Sequence, residues 1–188
     1  MTYRNLSLTV FFAVGLPVFA ASTTAPIENF HQIDQQVYRG AQPGAEGFQY
    51  LSKIGVKVVL DLREHDSRSA AEERAVTANG MRYVNVPMTG MTPPTDAEIS
   101  KILGLLEDPA QGPVFVHCKR GADRTGAVIA AYRIDHDKWE NARALSEAMG
   151  DRMSHWQFQR QAFIRTFKGN STTTAAAVAA TPAPANNN

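Results

Sequence analysis

The chain has 188 residues, of which 44% are hydrophobic and 20% charged, the balance of one ordinary soluble domain long enough to bury a core. Its 19 basic and 18 acidic residues exclude the overall basicity by which proteins track nucleic acid, so any affinity for anions must be local. A single cysteine, Cys118, excludes an intramolecular disulfide framework and any multi-cysteine metal cluster, and leaves the purpose of one thiol to be explained.

In chain order, residues 1–20 read as a secretory signal peptide. Arg4 precedes an apolar run over 6–16, Pro17 breaks it, and small residues follow at Ala20 and Ala21. Crossing a bilayer takes about 20 apolar residues, so no membrane span is expected. The mature chain is expected to be exported, to the periplasm or the extracellular space, with 18 basic and 18 acidic residues. A folded unit is expected over 27–168. Val37, Tyr38 and Arg39 are extended, 47–54 is helical, and the β-branched stretch 56–62 is a strand. A helix over 70–78 closes at Asn79-Gly80, and a strand over 82–86 follows. Gly40, Gly44 and Gly47 punctuate turns, and Glu72 and Glu73 fall on a solvated helix face.

Thr95 and Glu98 form a capping box, and Ile99, Ile102, Leu103 and Leu106 recur at helical spacing. Beyond Pro109 and Gly112, Val114, Phe115 and Val116 make a short apolar run of the kind buried on both faces of a parallel sheet. Helices are expected over 125–138, 140–149 and 155–168, the last with Trp156, Phe163 and Phe167 on one side and Gly169 as its stop. This alternation implies an α/β sandwich, a central mainly parallel sheet flanked by helices. From residue 170 on, only Asn, Ser, Thr, Ala, Val and Pro occur, so 169–188 is expected to be a disordered low-complexity tail.

The chemistry is concentrated in His117-Cys118-Lys119-Arg120-Gly121-Ala122-Asp123-Arg124-Thr125-Gly126, between a buried strand and a helix start. Inward-curling amides at a helix N-terminus cradle anions, and the same field lowers the pKa of a cysteine at their centre. Arg124 can clamp two phosphoryl oxygens, Thr125 brings a hydroxyl beside the sulfur, and Gly121 permits a tight turn. Asp123 sits inside the loop, next to Arg124. His31, His65, His136 and His155 show no ligand spacing, so neither metal nor other cofactor is expected.

These residues resemble the signature of the cysteine-dependent protein tyrosine phosphatase superfamily: His-Cys, five residues, Arg, then Ser or Thr. Val37 to Pro43 and Asp61-Leu62-Arg63 are similar to the opening strands of bacterial and fungal dual-specificity-like phosphatases, so the resemblance spans about 30–167. It implies a dual-specificity-type sandwich and metal-free hydrolysis of phosphate monoesters through a phosphocysteine. Cys118 then matches the nucleophile, Arg124 the phosphate-binding arginine, and Thr125 the hydroxyl that stabilises the departing thiolate. His117 matches the residue that supports loop and thiolate, and Lys119, Arg120, Gly121, Ala122 and Gly126 belong to the phosphate cradle.

One departure concerns the general acid. Most relatives carry an aspartate on a separate loop somewhat under thirty residues before the cysteine, where this chain reads Met88-Thr89-Gly90-Met91-Thr92. Asp123 resembles the loop aspartate of bacterial tyrosine and lipid phosphatases and of myotubularins, and is the preferred acid. Asp96 is the alternative, although an acid in the first turn of a helix is explained by the dipole alone. The implied substrate is a phosphorylated protein or, given Lys119 and Arg120, a small polyanion such as a phosphoinositide or inositol phosphate, and oligomeric state is left open. Two other readings are kept: rhodanese-like sulfur transfer, disfavoured by His117 and the Arg124-Thr125 pair, and a phosphate-binding module with little turnover.

Overall fold

The apolar run around Phe115 forms β5 (Val114–Cys118), and all five of its residues are buried. It can be so apolar because strands pair with both its edges and helices cover both its faces. A computed structural model describes residues 25–89 and 91–169. The expected signal peptide and residues 170–188 of the expected tail lie outside these.

The other strands are β1 (His31–Gln32), β2 (Val37–Ala41), β3 (Val58–Asp61) and β4 (Arg82–Asn85), in the sheet order β1-β2-β5-β3-β4. Only β1 runs antiparallel to its neighbour, so the sheet is mainly parallel as expected. The helices are α1 (Ala45–Lys53), α2 (Ser67–Ala78), α3 (Asp96–Glu107), α4 (Asp123–Asp135), α5 (Asn141–Gly150) and α6 (Phe158–Thr166), with a 3-10 turn at Pro109–Gln111.

Strand alternation divides the core. Val59 and Phe115 face Phe48 and Leu51 of α1 and Val76 of α2. Val58, Leu60, Val114 and Val116 face Ile99, Ile102, Leu103 and Leu106 of α3 and Val128, Ile129 and Tyr132 of α4. Helix α4 is also covered on its outer side by α5 and α6, where Ala127, Ala130, Ala144, Ala148 and Ile164 pack together. Small residues are what let these helices approach: a Cβ at Gly126 would meet the Met153 methyl at 3.0 Å and the Ala148 Cβ at 3.4 Å.

Several expectations are corrected. Strand β1 is too short to be visible in a hydropathy pattern. Gly40 lies within β2 and Gly47 within α1, rather than in turns. Helix α2 starts at Ser67, earlier than residue 70, because Asp66 caps it and Ser69 completes a capping box. Its inward stripe is Ser69, Glu72 and Val76, so Glu72 is buried in the core and only Glu73 is solvated. Helix α6 starts at Phe158, which leaves Trp156 in the preceding turn, 75% exposed and edge-on to Phe158, not packed beside Phe163 and Phe167.

The capping box of α3 is as expected, with the Glu98 N–H donating to Thr95 Oγ1 at 3.3 Å and the Thr95 N–H to Glu98 Oε2 at 2.7 Å. Replacing the cap, Thr95→Ala, should lower stability by about 1 kcal/mol, read as an earlier urea midpoint with an unchanged slope.

Candidate active site

The parallel strands β2, β3 and β5 end level with one another, Ala41 beside Cys118 and Asp61 beside His117. Sites in such sheets form at this carboxyl edge. Because side chains alternate, Cys118 projects toward the α3 and α4 layer and His117 toward the α1 and α2 layer. The chain then turns through Lys119 and Arg120, both exposed, and Gly121 and Ala122, both buried, before Asp123 opens α4.

Gly121 has φ of +64°, and a Cβ there would lie 2.3 Å from the backbone of Gly40. Only glycine fits. Its carbonyl accepts bonds from Arg39 Nη2 and, at 2.9 Å, from Asn29 Nδ2. Arg39 is wholly buried and also pairs with Asp151, whose carbonyl accepts Asn29 Nδ2 at 3.0 Å. Burial pulls the Arg39 guanidinium below its ordinary value, opposed mainly by Asp151. Asn29, Arg39 and Asp151 thus buttress the loop, a role not anticipated for any of them. The readable signal for Arg39 was a cation in the middle of an otherwise buried strand.

The Cys118 side chain is 3% exposed. Burial pushes its thiol up. The Thr125 hydroxyl and N–H, the Arg124 charge and the Arg120 N–H outweigh burial and leave the thiol below its ordinary value. The Thr125 hydroxyl is buried without a hydrogen-bond partner among the described residues and favours the ionised sulfur. Arg124 is anchored where two loops meet, its Nη1 donating to the Met88 carbonyl at 3.2 Å and the Leu62 carbonyl at 3.4 Å. Beside it lies a cavity of about 90 Å³ lined by Gln42, Arg63, Glu64, Asp66, Arg68 and Lys119. Its four cations outnumber the two acids and leave the space net positive, although Arg63 is paired with Asp61 and Glu72 and Arg68 with Asp66. Glu64, Asp66 and Arg68 in this wall were not foreseen. Asp66 is held at about 2, chiefly by its bond from Arg68, so it stays ionised near neutrality.

The two candidate acids separate. Asp123 stays with the loop, its carboxylate accepting the Ser154 N–H at 2.8 Å and Arg120 Nη2 at 2.5 Å. Asp96 lines a different groove, with Ile99, Ser100, Phe163, Thr166, Phe167, Lys168 and Gly169, and no residue of 117–126 lines it. The alternative acid is therefore corrected: the first turn of α3 points it toward the end of α6. Gly126 belongs to helix packing, as described above.

Behind the sheet edge, His117 meets two carboxylates, Glu72 Oε1 at 2.7 Å and Asp61 Oδ1 at 3.9 Å from its Nε2. Arg63 Nη2 donates to both, to Asp61 at 2.7 Å and Glu72 at 2.5 Å, and Tyr83 donates to Asp61 at 2.7 Å. Burial raises the Asp61 carboxyl, but the bonds from Arg63 and the charge of His117 hold it below its ordinary value. Ligand atoms of Asp61, Glu72 and His117 all lie within 4.8 Å of one another, the spacing of a metal site, yet Arg63 already supplies a cation to both acids. The helical spacing of Ser69, Glu72 and Val76 is the signal that places Glu72 here.

Met91, Trp156 and Phe158, 59%, 75% and 64% exposed, are the exposed large hydrophobics among the described residues. The segments that carry them are tied together and to the loop. Ser154 N–H binds Asp123, Gln157 Nε2 reaches Met91 Sδ at 3.7 Å, and buried Arg160 donates to the Thr89 carbonyl at 2.5 Å.

A family model described as PTP-NADK, DSP-PTPase phosphatase fused to NAD+ kinase, matches residues 11–166. The dual specificity protein phosphatase TpbA of Pseudomonas aeruginosa is 32% identical over 148 residues, covering 72% of this chain and 65% of that protein. The chain therefore spans just under two thirds of that relative's length. An inositol diphosphatase of Arabidopsis thaliana is 26% identical over 147 residues, covering 76% of this chain and 71% of that one. Among solved structures, a cysteine-to-serine variant of Pseudomonas aeruginosa TpbA in complex with pTyr superposes with a TM-score of 0.66 at 26% identity, covering 85% and 95% of the two chains. The core catalytic domain of a PP-IP phosphatase from S. cerevisiae, in complex with citrate, does so at 0.70 and 24% identity, covering 84% and 96%.

Gly121→Ala should drive the loop off Gly40 and cost about 1–3 kcal/mol from overpacking alone, seen as a lower melting temperature together with loss of rapid Cys118 alkylation. In the unaltered protein, the pH midpoint of Cys118 alkylation by iodoacetamide should lie below that of an ordinary thiol, with the rate slowing as pH falls through it. The same shift contributes stability that is complete above the ordinary thiol pKa of about 8.5 and is lost as pH falls through the folded value. Alkylation that rises only near pH 8.5 would contradict the lowered value.

Proposed function

The chain belongs to the DSP-PTPase phosphatases, and from that premise we propose that it hydrolyses phosphate monoesters with Cys118 as nucleophile. The observation that carries this is the buried Cys118 thiol, held below its ordinary value by Thr125, Arg124 and the loop amides. In the proposed reaction the Cys118 sulfur attacks phosphorus while Arg124 and the N–H groups of 119–125 hold the equatorial oxygens. The bond to the ester oxygen breaks, and Asp123 supplies the proton that oxygen needs. Water then attacks the phosphocysteine, phosphate departs, and Thr125 stabilises the released thiolate.

The substrate proposed first is a phosphorylated protein. Met91, Trp156 and Phe158 offer an apolar rim on which a peptide flanking the phosphoresidue can rest. A second reading, an inositol phosphate, is favoured by Arg63, Arg68, Lys119 and Arg124 around the small cavity. The relatives named above, one a dual specificity protein phosphatase and one an inositol diphosphatase, support both. Export by way of residues 1–20 is part of the proposal and rests on the sequence pattern alone; N-terminal sequencing of the secreted or periplasmic protein should begin near Ala21.

Cys118→Ser should abolish hydrolysis of an aryl phosphate and retain phosphate binding. A wild-type protein that binds phosphate without turning over any ester would instead be a recognition module. Asp123→Asn should slow phenyl phosphate by about 10² or more and a fluorinated aryl phosphate far less, since only the poor leaving group needs the proton. Equal losses would remove Asp123 from that role. Trp156→Ala with Phe158→Ala should raise KM for phosphotyrosyl peptides and leave inositol diphosphates unaffected; the reverse pattern would favour the polyanion.

A further inference from the structure

Both ring nitrogens of His117 face oxygen acceptors. Nδ1 lies 3.2 Å from the Cys118 carbonyl, and Nε2 meets Glu72 Oε1 at 2.7 Å, a charge-pair distance rather than an aligned hydrogen bond; neither of these two buried atoms has a hydrogen-bond partner. A neutral imidazole has one N–H and one lone pair, so it would turn a lone pair on one of these oxygens. The His117 side chain is wholly buried. An imidazolium offers a donor to each acceptor.

Charge balance leads to the same state. The side chains of Asp61 and Glu72 are 0% and 2% exposed. Arg63 reaches both, but one guanidinium leaves one buried negative charge unmatched. Of the other groups around the cluster, Tyr83 from β4 donates to Asp61, Gln42 after β2 donates to Glu72 at 3.1 Å, and Phe115 stacks on the His117 ring. All three are neutral. His117 is the group positioned to supply the second positive charge.

We propose that Glu72 is a positioning residue for Cys118, holding His117 as an imidazolium that fixes the Cys118 carbonyl and places a positive charge behind the sulfur. The proposal rests on Cys118 as the nucleophile. His117 and Cys118 project to opposite faces of β5, so the ring does not touch the sulfur. It acts through the shared peptide, whose carbonyl it holds while the following amides turn toward the anion, and through its charge across a dry, low-dielectric layer. Without the Glu72 charge, the imidazolium loses its counterion, and the thiolate in front of it becomes less favourable.

Glu72→Gln should move the pH midpoint of Cys118 alkylation by iodoacetamide upward by roughly half a unit or more, and Glu72→Asp, which keeps the charge, should return it toward wild type. In a His117→Asn background the Glu72→Gln change should produce no further shift. An unmoved midpoint in folded Glu72→Gln would overturn the proposal, and so would an equal shift in the His117→Asn background. If Glu72→Gln does not fold, nitrogen-15 NMR of the unaltered protein decides: both His117 ring nitrogens should carry protons at pH 7, and a neutral tautomer there refutes the assignment. Alkylation and NMR need no turnover. Failure of the phosphatase reading would therefore appear in ester hydrolysis with these titrations unchanged.

Discussion

The carbonyl of Gly121 is where the fold and the candidate site meet. A loop that turns its amides inward must turn its carbonyls outward, and in a packed protein those carbonyls need donors. Here Arg39 from β2 and Asn29 from the segment before β1 donate to that one oxygen, and Asp151 holds both donors from beyond α5. The left-handed turn at Gly121 and its contact with the Gly40 backbone persist because this set over-determines them. Were the carbonyl released, the amides that stabilise an anion at Cys118 would lose their direction.

From that anchor, the pleat of β5 distributes the chemistry. Cys118 and His117 are neighbours in sequence but belong to different layers. The face toward α3 and α4 carries Cys118 and Arg124, while the face toward α1 and α2 carries the buried cluster of Asp61, Arg63, Glu72 and His117. The electrostatics of one layer reach the other only through the strand between them. A change in α2, far along the chain from the loop, is therefore not remote in energy.

The 117–126 motif was legible because its residues are consecutive and each type has few other uses in that order: the stretch predicts a strand and a helix start, and both occur. Helix α3 was legible from Thr95, Glu98 and four apolar residues at fixed spacing. What escaped reading depends on packing between distant segments. Arg39 looked like one polar residue in a strand, and nothing local says that its partners are Gly121 and Asp151. Glu72 looked solvated because acids usually are, although its register with Ser69 and Val76 already put it on the inward stripe. Trp156 was assigned to a helix by its apolar character, when α6 begins only at Phe158. Asp123 was preferred to Asp96 because it sits inside the loop, and it is the course of α3 that puts Asp96 on another groove.

The tethers described above all gather at the carboxyl edge of the sheet. The opposite edge is joined by short turns in which Gly55, Gly80 and Gly112 adopt positive φ, and around Gly55 and Gly80 the nearby space is open. Distant segments are tied at that edge too, Gln36 Nε2 donating to the Gly112 carbonyl at 2.6 Å and Ser52 Oγ to the Asn79 carbonyl at 2.8 Å, but none of these bonds reaches the loop at Cys118. Extra sequence spliced in at Gly55 or Gly80, where the space is open, would leave the bonds around Cys118 as they are. The same length spliced near Asn29 or Asp151 would loosen the loop without touching it.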